Sequence, residues 1–132
     1  MRINISDHTA DVILSVSGNS LEEIVSGMVL GLSRYIWGDA PCSSSTDRLT
    51  VKGDGPDMTF AFATLLSDLL YHIEVSSVKV LSIDDITYSR KEGSVFIKVE
   101  ITVCEGDSVE KKSDVKAVSF SMDWNVSIIL DL

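Results

Sequence analysis

Val95-Phe96-Ile97-Lys98-Val99-Glu100-Ile101-Thr102-Val103 decides the fold class. Val95, Ile97, Val99, Ile101 and Val103 fall on one face of an extended chain, and Phe96, Lys98, Glu100 and Thr102 on the other. This strict period of two marks a strand with one face against a core and the other towards water. Ile83 to Ser89 precedes it as a further strand, and Lys91-Glu92-Gly93 supplies a hairpin turn between them. An antiparallel pair therefore anchors the second half of the chain.

Further strands are predicted at Ile3 to Ile5, Val12 to Ser17, Leu49 to Lys52, Val115 to Phe120 and Val126 to Leu130. Two segments have helical periodicity instead. In the first, Ser20 and Glu23 form a capping box, and Leu21, Ile24, Val25, Met28 and Leu32 make one apolar stripe. Pro56 and Asp57 open the second, where the ring suits a first turn and the carboxylate suits the helix dipole. Its stripe is Phe62, Leu65, Leu66, Leu69 and Ile73. Two helices among six or seven strands, the later strands consecutive, predict an α+β fold. Both amphipathic helices should pack on one face of a mixed, largely antiparallel β-sheet. Gly38 to Asp47 reads as a loop, no linker is visible, and residues 1–132 are expected to form a single domain.

The 132 residues carry 20 Asp and Glu against 11 Lys and Arg, a net charge of −9, and are 45% hydrophobic with mean hydropathy +0.23. A chain this apolar has the means to bury a core, unlike disordered chains, which are poorer in hydrophobic residues. The acidic balance opposes direct nucleic-acid binding, which needs cations to displace counterions from phosphates. It suits divalent cations, a basic protein partner or solubility alone. Cys42 and Cys104 are far apart, outside any CxxC pattern and without a companion histidine spacing. They read as ordinary thiols of a reducing compartment, not as a disulfide or zinc site. No leader is expected from the opening Met-Arg-Ile-Asn-Ile, and no apolar run approaches a bilayer span. A cytoplasmic location with no membrane association is the expectation.

The common catalytic signatures, GxxxxGK[ST], GxGxxG, GxSxG and HExxH, are all missing. His72, towards the end of the second helix, reads as a dipole-stabilised helical residue. Asp7-His8-Thr9-Ala10-Asp11 is the more informative run, placed in a tight loop between two short predicted strands. Two carboxylates and an imidazole within five residues can serve a hard cation, although side chains bonding to their own turn would look the same. Ile129-Leu130-Asp131-Leu132 is strand-like and sets a carboxylate beside the carboxylate of the last residue. Such clustering favours either solvation or a cation. In Val115-Lys116-Ala117-Val118-Ser119-Phe120, Lys116 is alone among apolar neighbours. It fits a partner for an anion or carboxylate as well as a snorkelling surface lysine.

Asp7-His8-Thr9-Ala10-Asp11, Val115-Lys116-Ala117-Val118 and Ile129-Leu130-Asp131-Leu132, in that order along a chain of this length, resemble the archease family. The helical segments Ser20-Leu21-Glu22-Glu23 and Leu65-Leu66-Ser67-Asp68-Leu69-Leu70-Tyr71 extend the resemblance over nearly the whole sequence. The resemblance implies a protein without catalytic residues of its own. It implies a protein cofactor for the GTP-dependent RNA ligase that joins tRNA halves with cyclic-phosphate or 3′-phosphate ends. Archeases promote guanylylation of that ligase and its repeated turnover. A divalent cation is also implied, calcium foremost, with magnesium or manganese as alternatives. By motif position its ligands are Asp11, Asp131 and the carboxylate of Leu132, with Asp7, His8 and Lys116 as functional neighbours. The chain has Ser119, Phe120 and Ser121 where the family commonly has threonine, an aromatic residue and histidine.

Two other classes of function fit the residues without that resemblance. One is a small metal-dependent hydrolase or phosphatase acting through Asp7, His8 and Asp11. The other is a chaperone-like interaction module.

Overall fold

The computed structural model describes residues 2–8, 11–111, 117–122 and 126–131, with side chains for 2–5 and 14–111. The strands are β1 (Arg2–His8), β2 (Asp11–Ser17), β3 (Asp47–Gly55), β4 (Val78–Lys91), β5 (Ser94–Glu105), β6 (Ala117–Met122) and β7 (Val126–Asp131). The helices are α1 (Leu21–Trp37), between β2 and β3, and α2 (Met58–Ser76), between β3 and β4. The α+β class and the two helices agree with the periodicities. The strands, however, divide into two sheets, ordered β1-β2-β7-β6 and β3-β5-β4, and every pairing is antiparallel. Helix α1 lies against β1 and β2 of one sheet and β4 of the other, and α2 against β3, β4, β5 and β6. The helices thus join the sheets instead of covering one face of a single sheet.

The helix boundaries follow from capping. Ser20 Oγ accepts from the Glu23 amide at 3.2 Å, satisfying one orphan donor of the first turn. Glu23 Oε2 accepts from the amide of Asn19 at 2.5 Å, one residue earlier than a standard capping box requires. Asp57 caps α2 by accepting from the Phe60 amide at 2.8 Å, so Pro56 lies outside the helix. Val25, Met28 and Leu32 are buried on α1, as are Phe62, Leu65, Leu66, Leu69 and Ile73 on α2. The five alternating residues Val95, Ile97, Val99, Ile101 and Val103 of β5 are buried beneath them. Each large side chain contributes about 2 kcal/mol by leaving water.

Helical side chains also close the edges of the β3-β5-β4 sheet. Along β3, Asp68 Oδ2 accepts from the Lys52 amide at 2.9 Å, and Thr64 Oγ1 accepts from the Asp54 amide at 2.8 Å. Along the start of β4, Ser33 Oγ accepts from the Val80 amide at 2.9 Å, and Trp37 Nε1 donates to the Val78 carbonyl at 2.7 Å. Gly53 permits the close seating of α2 on β3. A Cβ there would stand 2.2 Å from the Ala61 carbonyl oxygen and 2.8 Å from the Leu65 nitrogen.

Cys42 and Cys104 are joined in a disulfide, which corrects the reading of them as free thiols. The loop after α1 runs beside the end of β5, where Cys42 bridges Gly106 and the Ser43 amide donates to the Glu105 carbonyl at 2.7 Å. Ser44 Oγ accepts from the Glu105 amide at 3.0 Å. That stitching brings the two cysteine Cα atoms to 5.7 Å despite 62 residues of separation, within the range a disulfide needs. The thiols therefore carry no argument for a reducing compartment.

Candidate functional site

The row of residues across the β1-β2-β7-β6 sheet builds the candidate site from its backbone. The β1–β2 ladder sets His8 opposite Asp11, and the β2–β7 ladder sets Asp11 opposite Asp131. Across β7, Asp131 is opposite Ala117 of β6. Directly opposed residues of an antiparallel pair have Cα atoms about 4.5–5.5 Å apart. Two acidic residues separated by 120 positions in the chain thus become neighbours at one end of the sheet. Asp7 is one position further along β1, opposite Val12.

The loop expected over Asp7 to Asp11 is shorter than its motif. Asp7 and His8 close β1 and Asp11 opens β2, so these residues are held by a ladder and not by a free turn. Lys116 and Leu132 lie outside the described residues, each next to a residue of this row: Ala117 and Asp131. The register therefore brings His8, Asp11 and Asp131 together, with Asp7 adjacent. The donor types present are carboxylates and one imidazole, a set suited to a hard divalent cation. Among the described residues there is no group of three or more metal-ligating side chains; those of Asp11 and Asp131 are outside that description.

A different constellation lies on the water-facing side of the other sheet. There Lys52 is opposite Lys98, and Asp54 is opposite Phe96, with Thr87 and Ser89 across β5. They line a groove of about 480 Å³ that contains none of the candidate site residues read from the sequence. The alternation in β5 placed Phe96 and Lys98 on the polar face, but their pairing with β3 had no local signal. Nearby, Asp84 receives hydrogen bonds from Thr102 Oγ1 at 2.6 Å and Ser82 Oγ at 3.0 Å. The Thr102 bond foremost, helped by the Ser82 bond and the Arg48 charge, outweighs the opposing desolvation and holds its carboxyl below the usual carboxylate range. His72 is on α2, its Nε2 3.6 Å from Asp68 Oδ1 one turn earlier. Its role is that of a helix-surface residue.

The model of the Archease protein family matches residues 4–131 of the sequence, including every described position of the row above. The chain belongs to the archease family. The protein archease of Danio rerio is 31% identical over 121 residues, spanning 87% of this chain and 71% of its own length. That of Methanosarcina barkeri is 24% identical over 136 residues, spanning 96% and 92%. Among solved archease-family folds, protein 1598 of Methanobacterium thermoautotrophicum superposes with a TM-score of 0.65 at 19% identity, over 98% of each chain. An archease from Thermotoga maritima, described as a possible chaperone, gives a TM-score of 0.56 at 18% identity, over 100% of this chain and 98% of its own. Both structures share the two-helix, two-sheet fold. No helix among the described residues is long and apolar enough to cross a membrane.

Proposed function

We propose that the chain is the protein cofactor of a GTP-dependent RNA ligase of tRNA splicing, promoting its guanylylation and multiple turnover. The observation that carries the reading is the register of Asp11 against Asp131, with His8 beside them. Family membership supports it, because these are the motif positions the resemblance assigns to the site. In this proposal Asp11, Asp131 and the carboxylate of Leu132 hold a divalent cation, calcium foremost, with Asp7, His8 and Lys116 around it. Bound there, the cation neutralises clustered carboxylates that would otherwise repel one another.

The net charge of −9 supports docking on a basic, RNA-binding enzyme over contact with RNA. A cytoplasmic location belongs to the same proposal, as does the absence of a catalytic role for the chain alone. The test is a ligation assay with a cognate ligase, GTP and RNA in excess over enzyme. Wild type should raise guanylylation and turnover. Asp11→Ala should lose that stimulation while its circular dichroism and melting stay near wild type. Full stimulation by Asp11→Ala would overturn the metal-site proposal, and no stimulation by wild type would overturn the ligase proposal. The chaperone-like reading draws on the description of the Thermotoga relative and would instead give suppression of aggregation in unrelated clients.

A further inference from the structure

The second half of β4 has an open edge. Past register shifts between Val80 and Ser82 and between Ile83 and Asp85, β4 continues against β5 as far as Lys91. The hydrogen-bond parity of the sheet fixes which residues turn outward. Lys52 and Asp54 direct their amides to α2, so their β5 partners Lys98 and Phe96 bond towards β4. Thr87 and Ser89 face those two residues, and hence Ile86, Tyr88 and Arg90 turn their N–H and C=O groups away from β5. Among the described residues nothing bonds to these outward groups. Tyr88 is 39% exposed. Along β3 and the start of β4 the sheet edge is plugged by Thr64, Asp68, Ser33 and Trp37; this stretch presents a template for another strand.

We propose that this edge pairs antiparallel with the same edge of a second copy, about a two-fold axis at Tyr88. In that register Tyr88 faces Tyr88 of the second copy, Ile86 faces Arg90, Thr87 faces Ser89 and Asp85 faces Lys91. Charge selects the arrangement. Asp85 is opposite Glu100 in the β4–β5 ladder, two like charges side by side, with no cation in ion-pair range among the described residues. It also lines a groove of about 410 Å³ shared with Glu22 and Asp84, while the tip of the same hairpin carries Arg90 and Lys91 beside Glu92. Centring the axis on Thr87 or Ser89 keeps the bonding parity but sets Lys91 against Ile83 or Thr87. Only the Tyr88 centre sets Lys91 directly opposite Asp85, the carboxylate that already faces Glu100, twice by symmetry. The contact is isologous, so it uses up the edge on both copies and closes as a dimer with one continuous six-stranded sheet.

Sedimentation velocity of the full chain over a concentration series tests this, independently of the ligase reading. A monomer–dimer equilibrium is expected. Tyr88→Pro removes an outward N–H without touching the β5 ladder and should leave only monomer. Lys91→Glu should weaken the dimer about tenfold, through two symmetry-related contacts. Asp85→Lys combined with Lys91→Glu should restore it. Circular dichroism reports whether each variant folds; if Tyr88→Pro does not, the charge exchange decides. A wild type monomeric at every concentration overturns the proposal. So does a dimer that survives Tyr88→Pro or Lys91→Glu, or one that the charge exchange fails to restore. A monomer whose β4 edge instead captures an extended peptide of another sequence assigns the edge to a different occupant and likewise overturns it.

Discussion

Asp84 shows how a few polar contacts tune one exposed group. Its carboxylate accepts from Thr102 and Ser82 and feels Arg48, and these favour the charged form. A carboxyl whose folded pKa is depressed stabilises the fold above its unfolded pKa and loses that contribution as pH falls through the folded value. Thr102→Val removes the largest cause. A carboxyl-carbon NMR titration should then find the Asp84 midpoint moved up towards an ordinary aspartate, and the stability gained from it lost at a higher pH than in wild type. Asp11 and Asp131 are a contrasting case at the same scale. Each residue alone resembled any surface aspartate, and a shared register gives them a joint meaning.

Helix α2 seats closely on strand β3, and it does so through what is missing. Gly53 lets the Ala61 carbonyl and the backbone at Leu65 come where a Cβ would stand, while Thr64 and Asp68 bond to the strand edge. Backbone atoms cannot step aside as a flexible side chain can. Gly53→Ala should therefore destabilise the fold by about 3 kcal/mol, the upper end of overpacking costs, read as a lower midpoint in urea at unchanged slope. The stripes of α1 and α2 and the alternation of β5 were legible because helix and strand periods are local properties of the chain. The true lengths of β3 and β4 were not, since their outer residues are exposed and owe their extension to pairing with β5.

Across the whole molecule, the Cys42–Cys104 disulfide ties the loop after α1 to the end of β5 and encloses α2, β3, β4 and most of β5. Closing a loop of 62 residues removes freedom from the unfolded chain, worth about 4 kcal/mol in the chain-entropy model. Cys42→Ser should lower unfolding free energy by about that amount, and a reductant should do the same to wild type while leaving the variant unchanged. The amphipathic stripes, the alternating strands, the helix caps and the ordered motifs that carry the family resemblance were all readable along the chain, because each depends on residues within a few positions of one another. The division into two sheets, the disulfide, the strand register behind the grouping of His8, Asp11 and Asp131 that the family resemblance implied, and the open edge of β4 were not. Those depend on which distant segments lie side by side, and strand partners and registers are settled by the packing of helices and sheets around a common core.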